Sequence, residues 1–219
     1  MQSDLRVLLE RADFGRIVAA ASKTSRTLSA LITLTYSDDS LVCWRSIDAI
    51  GRCAEKLSTQ RPRIFRNYLQ RLFWMMSDES GSVVPHAPEI IGEIIRSNPD
   101  AFHDCIPLTI SLLSLEPEDL PRFLPGVLYA LARIGPVSPS GIKGAAEGIE
   151  RSLASPDPQA RAMAVLCLGC NGWKRTLLRH SALARDSEGA CIYEDEKILS
   201  TTVAKLYRNA LAGMHDAAG

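Results

Sequence analysis

Four apolar segments of this chain each run into a glycine, at Gly51, Gly92, Gly135 and Gly169. The intervals between these glycines are 41, 43 and 34 residues, close to the length of a two-helix structural repeat. A polar turn and another apolar segment precede each one, and the turns contain the Asp, Ser and Pro residues that begin helices. The pattern therefore predicts four stacked helical pairs, each ending at its glycine.

The fourth of these units carries a family resemblance. Residues 156–164 read PDPQARAMA and resemble the entry to the second helix of HEAT repeats, particularly the short phycobilin-lyase-like variety. In that family an Asp in the turn and an Arg in the helix form a ladder between neighbouring repeats, and Asp157 and Arg161 match those positions. In the first unit Asp39 matches Asp157, but Cys43 replaces the Arg. The middle two units lack both residues.

The resemblance implies an all-α fold, a HEAT-like (armadillo-type) α-α superhelix of about four helical pairs. Residues 73–81 and 88–93 also resemble uncharacterised bacterial HEAT-like repeat proteins. We expect an N-terminal capping helix over residues 1–23, the repeats over 24–170 and a C-terminal cap over 171–219. Solenoids need such caps because their end repeats would otherwise expose apolar faces.

The C-terminal cap departs from the helical pattern. Two short apolar runs, 190–193 and 198–200, are separated by four polar residues, which predicts a small β-hairpin. Thr201 or Thr202 then begins a last helix, Val203–Ala212, and the following glycine is a natural stop.

Composition limits the classes of function. Acidic and basic residues balance at 25 each, so net charge does not draw the chain to nucleic acid or to an anionic membrane. The N-terminus lacks the pattern of a secretory signal, and the apolar stretches fall short of the roughly 18 residues of a membrane span. The six cysteines are expected to be reduced thiols. We expect a cytoplasmic protein without a membrane segment.

The densest polar cluster lies in the second unit. Glu89 and Glu93 are one helical turn apart, His86 precedes Glu89 by three residues, and Asp78 and Glu79 lie in the turn before. Carboxylates and imidazoles bind divalent metals, but none of the usual metal-binding spacings occurs, so we expect no metal. The alternatives are ordinary solvated helix polarity and a surface that contacts a peptide.

A charged stripe on the first glycine-terminated helix has two interpretations. Arg45, Asp48 and Arg52 lie along one helical face with alternating sign, so they are expected to form intrahelical ion pairs. Alternatively they lie on an inner surface of second helices, beside the acidic cluster and Arg133 of the following units. In solenoids such a concave surface commonly binds an extended peptide or a helix.

Two other features suggest chemistry only weakly. Cys167 and Cys170 have CxxC spacing, but a second pair is absent and buried structural thiols are expected. Residues 173–185 form a locally basic patch with a tryptophan, which is typical of phosphate binding. The chain also resembles HEAT-like alkylpurine DNA glycosylases in size and helix count, although Glu89 and Glu93 on the expected inner helices would repel phosphate.

The sequence thus predicts a non-enzymatic scaffold or adaptor that binds another protein on its inner helix surface and uses no cofactor. The alternatives are a nucleic-acid-binding or DNA-glycosylase-like HEAT protein, and an accessory protein for tetrapyrrole attachment. The residues predicted to contact the partner are Arg45, Arg52, Glu79, His86, Glu89, Glu93, Tyr129 and Arg133.

Overall fold

The computed structural model describes residues 2–76, 84–115 and 120–213. These fall into two compact units, Met1–Cys105 and Ile106–Gly219. Among them, the only β-structure is a two-stranded sheet in the second unit, and the rest of the regular structure is helical.

The first unit is built from two rows of helices. One row is α2, α4 and α6, packed side by side; α3 packs against α4, and α5 packs against α6. Buried aliphatic side chains such as Ile47, Ile50 and Ile90 fill the space between the helices. The helices are α1 (Gln2–Glu10), α2 (Phe14–Lys23), α3 (Arg26–Leu34), α4 (Ser40–Leu57), α5 (Pro62–Met76) and α6 (Ala87–Ser97).

The N-terminal segment forms two helices, whereas the sequence predicts one capping helix over residues 1–23. The chain turns at Ala12, whose φ of 53° lies in the left-handed region. Asp13 then caps α2, since its carboxylate accepts a hydrogen bond from the backbone N–H of Arg16. Leu5, Leu9 and Ile17 are buried, as a cap over the first repeat requires.

The repeated glycines do not all end helices, so that prediction was wrong. Gly51 and Gly92 lie inside α4 and α6, and Gly169 lies inside the helix Pro158–Cys170. A Cβ atom at Gly51 would lie 2.5 Å from Glu93 Oε2 and 3.1 Å from Glu93 Cβ. At Gly51 the missing side chain therefore lets α6 approach α4 closely.

The second unit repeats the arrangement with shorter first helices. Here α8, α10 and α12 pack side by side, α9 and α11 pack against α10, and α11 also packs against α12. Single 3₁₀ turns occur at Leu112–Ser114, Lys143–Ala145 and Ser181–Arg185. The helices are α7 (Cys105–Ser111), which begins at the unit boundary, α8 (Leu120–Ile134), α9 (Ala146–Ser152), α10 (Pro158–Cys170), α11 (Lys174–Arg179) and α12 (Val203–Ala212).

The predicted hairpin is confirmed as antiparallel strands β1 (Gly189–Glu194) and β2 (Lys197–Thr202). Asp195 and Glu196 form its two-residue turn with φ values of 48° and 62°, the backbone of a type I′ turn. The Gln159 side chain of α10 donates to the Cys191 carbonyl (2.8 Å) and accepts from the Cys191 N–H (2.9 Å). This amide occupies the outer edge of β1 as a neighbouring strand would.

The predicted last helix is also confirmed. Thr202 caps α12 through a hydrogen bond that its hydroxyl accepts from the N–H of Lys205. Gly213 follows with a φ of 76°, the left-handed conformation common after a helix end.

The Asp–Arg pattern of the fourth repeat makes one cross-repeat contact. Asp157 caps α10 by accepting from the N–H of Gln159 (2.9 Å). Arg161 donates instead to Asp186, which follows the 3₁₀ turn Ser181–Arg185, with Nε–Oδ2 at 2.7 Å and Nη2–Oδ1 at 3.3 Å. The Asp186 carbonyl in turn accepts from the N–H of Ala204 in the first turn of α12 (2.8 Å). The pair is 14% exposed on each side, and the Arg161 guanidinium holds the pKa of Asp186 below its usual range. Asp186 therefore links α10, through its carboxylate, to the start of α12, through its carbonyl.

Candidate functional site

Helices α4 and α6 lie side by side and run in the same direction. The Trp44 ring, early in α4, lies beside the His86 ring at the start of α6, and Gly51 lies beside Glu93 one or two turns further along each helix. Charged and aromatic side chains cluster where the two helices meet. We call this surface the α4–α6 face, and its residues are Trp44, Asp48, Arg52, His86, Glu89, Glu93 and Arg96.

His86 lies at the centre of one hydrogen-bonded group on this face. Its Nδ1 is 3.0 Å from Glu89 Oε1, and its ring centroid is 5.8 Å from that of the half-buried Trp44. Burial acts to lower the pKa of His86, but the hydrogen bonds to the Cys43 thiol and the Glu89 carboxylate outweigh it and raise the pKa to about 10. At neutral pH the ring is therefore a cation that lies against an aromatic side chain, with the two ring planes tilted by 54°.

Cys43 occupies the position in α4 that Arg161 occupies in α10, four residues after the capping Asp39. Its thiol donates to the Thr35 carbonyl (3.2 Å) and also hydrogen-bonds with His86, the residue that precedes α6. The first unit thus joins a helix to the start of the next with a thiol and an imidazolium, where the second unit uses a guanidinium and a carboxylate.

The two glutamates are buried, so they are not ordinary solvated helix polarity, which was one of the two alternatives for this cluster. Glu89 is 7% exposed and Glu93 1%. Glu93 Oε2 accepts from Arg96 Nε at 2.6 Å, and its carboxylate covers Gly51. Whether Glu89 and Glu93 contact a partner stays a prediction, and their burial leaves the partner little carboxylate surface to touch.

The stripe on α4 divides into two parts. Asp48 and Arg52 form the predicted intrahelical ion pair, with Nε–Oδ1 at 2.9 Å and Nη2–Oδ2 at 3.2 Å. The guanidinium of Arg52 also stacks over the Phe14 ring, 3.9 Å from its centroid. Arg45 donates through Nη1 to the carbonyls of the last two residues of α1, at 2.9 and 2.8 Å. Arg45 therefore stabilises the end of α1, where cations are favoured.

The other predicted contact residues lie in other parts of the chain. Glu79 lies outside the described residues. Tyr129 is half-buried and Arg133 exposed, both on α8 of the second unit. Two members of the face, Trp44 and Arg96, were missed from the sequence. Trp44 has the apolar character of a core residue, whereas the spacing of Arg96, three residues after Glu93, was a usable signal for an ion pair.

The structure does not add support for a metal site at the CxxC pair or for phosphate binding at the basic patch. Cys167 is buried, Cys170 is exposed and both are free thiols; burial raises the pKa of Cys167 well above its usual value. Within the described ranges, no three His, Cys, Asp or Glu side chains are placed to hold a metal ion. In the basic patch, Arg179 and His180 both hydrogen-bond to Glu150 at 2.9 Å, so the charge of Arg179 is partly neutralised.

Comparison with known proteins shows the fold of the chain. No family model matches the chain. An uncharacterised protein of Archaeoglobus fulgidus is 38% identical over 85 residues, 39% of this chain and 43% of that protein, so the match spans less than half of the relative's length. Across the described helices, none has both the length and the apolarity needed to cross a membrane.

Two solved structures of designed armadillo repeat proteins are similar. One has a TM-score of 0.51 at 18% identity and covers 98% of this chain and 93% of its own. The other, in complex with the peptide (KR)4, has a TM-score of 0.53 at 18% identity and covers 98% and 94%. The fold is thus an all-α repeat fold of the HEAT and armadillo type with a C-terminal hairpin, as the sequence predicted, and the resemblance to bacterial proteins in particular stays a prediction.

Proposed function

We propose that this chain is a non-enzymatic scaffold that binds a segment of another protein across the α4–α6 face. The observation that carries the proposal is the half-buried Trp44, which lies against the tilted ring of His86 and is flanked by the Asp48–Arg52 and Glu93–Arg96 pairs. Tryptophan and arginine dominate the binding energy of protein interfaces, especially where they are held in a fixed position beside buried groups.

The face is pre-organised for binding. Asp39 caps α4 through hydrogen bonds to the N–H groups of its first turn, and Pro88 lies in the first turn of α6. The close contact of Gly51 with Glu93 fixes the spacing of the two helices. Side chains held on such a support lose little conformational entropy on binding, which leaves more of the contact energy as affinity.

The fold supports a peptide-like partner. One designed armadillo repeat protein of similar fold is in complex with the peptide (KR)4. By analogy, we propose that a partner segment contacts successive helices of the row α2, α4 and α6. The cytoplasmic location expected from the sequence stays a prediction.

Replacing Trp44 by Ala is expected to reduce capture of the partner from a lysate of the native host at least about tenfold, because an interface tryptophan commonly contributes 2 kcal/mol or more. Quantitative mass spectrometry of the captured proteins measures this. Trp74→Ala is the matched control, since Trp74 is 63% exposed on α5, and Trp44→Phe keeps a ring against His86.

Thermal melts of each variant separate loss of binding from loss of folding. Recovery of the same proteins in the same amounts by the wild type and a folded Trp44→Ala variant would contradict the proposal. An equal loss with Trp74→Ala would place the partner elsewhere.

A further inference from the structure

The three ion pairs of the α4–α6 face share one orientation. In each pair the acid is the buried member and the base is the more exposed one. Side-chain exposures of acid and base are 2% and 22% for Glu93 and Arg96, 9% and 29% for Glu89 and His86, and 15% and 38% for Asp48 and Arg52.

In two other described pairs the base is also the more exposed member, but their acids are not buried: Asp13 under Arg16 is 38% exposed and Glu150 under Arg179 is 31% exposed. The remaining pairs lack the asymmetry. Glu10 and Arg6 are 48% and 45% exposed, and Asp104 and Arg66 are 51% and 36% exposed. The buried pair Asp186–Arg161 is 14% exposed on both sides. Among the described ion pairs, an acid at most 15% exposed beneath a more exposed base is therefore found only in the three pairs of the α4–α6 face.

The arrangement directs positive charge and hydrogen-bond donors outward. A guanidinium has five N–H donors, and in the described part of the chain Arg96 uses only Nε, toward Glu93. The buried carboxylates hold the bases in place from below. A ligand that approaches from solvent therefore meets the cationic side of each pair first.

His86 would act on a ligand at this face through its charge and not through hydrogen bonds. Its Nδ1 is engaged by Glu89 and it also hydrogen-bonds to Cys43, so its ring N–H groups have partners inside the protein. Burial lowers its pKa, but those two contacts raise the pKa to about 10, and the ring keeps its charge at neutral pH. The cation beside Trp44 makes that part of the face favourable for an anionic group next to an apolar one.

A depression of about 400 Å³ adjoins Arg52 between α2 and α4. Its apolar part could hold one aliphatic side chain, and its rim carries two bases and one acid. The lining residues are Phe14, Gly15, Val18, Arg52, Glu55 and Lys56. Glu55 is exposed, and it is the group on this rim that would oppose an acidic ligand.

We infer from this geometry that the α4–α6 face selects an acidic partner segment with interspersed apolar residues. Arg52 and Arg96 bind its carboxylates, and Trp44 and the depression take its apolar side chains. The inference rests on the proposed function and adds the chemistry of the partner. It is opposite in sign to the (KR)4 peptide of the designed armadillo repeat protein.

A protein segment fits this face better than a nucleic acid does. Each outward base is balanced by a buried acid, so the face presents oriented donors without a large excess of positive charge. Nucleic-acid affinity depends on neutralising many phosphates and releasing their counterions, which a face with paired charges does poorly. A few spaced carboxylates, by contrast, are recognised by individual guanidinium groups.

The test uses fluorescence anisotropy of the full chain with four labelled probes of equal length. The probes are alternating Glu-Leu, Gln-Leu and Lys-Leu peptides and a single-stranded oligonucleotide. We expect the Glu-Leu peptide to bind at least about tenfold more tightly than the Gln-Leu peptide at low salt, with the difference shrinking as salt screens the charges. The Lys-Leu peptide and the oligonucleotide should bind more weakly than the Glu-Leu peptide.

Variants that remove a whole ion pair keep the net charge and take away the buried acid together with its base. Glu93→Gln with Arg96→Gln, and Asp48→Asn with Arg52→Gln, are each expected to weaken Glu-Leu binding about fivefold or more. The matched control removes the pair between Arg66 of α5 and Asp104, which precedes α7. Asp104→Asn with Arg66→Gln should leave the affinity for the Glu-Leu peptide unchanged. Glu55→Gln should tighten binding of the Glu-Leu peptide, because it removes the acid on the rim of the depression.

Equal binding of the Glu-Leu and Gln-Leu peptides would overturn the inference, as would stronger binding of the Lys-Leu peptide or the oligonucleotide. No detectable Glu-Leu binding up to about 1 mM would overturn it too, since a specific segment should bind more tightly than that. An equal loss of Glu-Leu affinity in the Asp104→Asn, Arg66→Gln variant would show that the effect of the face variants is a nonspecific charge effect, which would also count against the inference. The proposed function fails separately, if Trp44→Ala leaves capture of the host partner intact.

Discussion

Replacement of His86 by Ala is expected to lower the free energy of unfolding of the first unit by about 3 kcal/mol at pH 7, because breaking a buried ion pair leaves its other charge uncompensated. In the described structure His86 is the hydrogen-bond partner of Glu89 Oε1, and Glu89 Oε2 is buried with no partner among the described residues. Denaturant unfolding followed by circular dichroism measures the loss.

A matched control exists in the second unit. His180 also bonds to a glutamate, Glu150, but both side chains are about one-third exposed, and Arg179 keeps that carboxylate paired. His180→Ala should therefore cost less than about 1 kcal/mol. Adding Glu89→Gln to His86→Ala should recover part of the loss, because it removes the buried charge. Equal effects of the two histidine substitutions would contradict the ion-pair account of His86.

His86 also makes the free energy of unfolding of the first unit depend on pH. His86 has a pKa of about 10 in the folded protein against an ordinary value of 6.5, so its contribution is fully present below pH 6.5. Between pH 6.5 and 10 the folded state binds the proton and the unfolded state does not. The free energy of unfolding should therefore fall as pH rises through this window, by at most about 1.4 kcal/mol per pH unit. His86→Gln should flatten the fall, and an unchanged slope would show that His86 is not its source.

Substitution of Gly135 by Ala should destabilise the second unit by about 2–3 kcal/mol, because overpacking a well-packed core displaces side chains or backbone. The new Cβ would overlap Asn171 Oδ1, with Asn171 Cγ at 2.5 Å and Ile142 Cδ1 at 2.6 Å. Asn171 is held by its own bond from Nδ2 to the Cys167 carbonyl, so it cannot move aside without losing that contact. Thermal unfolding monitored by calorimetry gives the difference.

Gly144 supplies the control for this substitution. No atom lies within 4 Å of the position that a Cβ at Gly144 would take, so Gly144→Ala should be neutral or slightly stabilising. When Asn171→Ala is combined with Gly135→Ala, the glycine substitution should destabilise the protein much less than it does alone, as expected for residues in contact. Strictly additive effects of the two substitutions would argue against the predicted clash.

The sequence predicts the fold of this chain well because the signals for it are local. Helix periodicity locates the helical pairs, Asp39 and Asp157 mark true helix starts, and the polar run between two apolar ones locates the hairpin. Thr202 caps the last helix as expected. Each of these depends on residues within a few positions of one another, which a single sequence displays directly.

The site is less predictable because its contacts join distant positions. Glu89 and Glu93 have the spacing of a solvated helix face, and only the neighbouring helix α4 makes them buried. Gly51 shows the same dependence: a glycine that reads as a helix end is instead the place where Glu93 packs. Cys43 is visible from the sequence as a missing arginine, but its contact with His86, 43 residues away, is not.

Site-specific photo-crosslinking tests most directly whether the partner binds on the α4–α6 face. A photoreactive phenylalanine analogue replaces Glu55, which is exposed on α4 beside Arg52, or Asn67, which is exposed on α5. We predict that, after irradiation in host lysate, the position 55 variant forms a defined covalent adduct with one protein and the position 67 variant does not. An adduct only from position 67, or equal adducts from both positions, would contradict binding at this face.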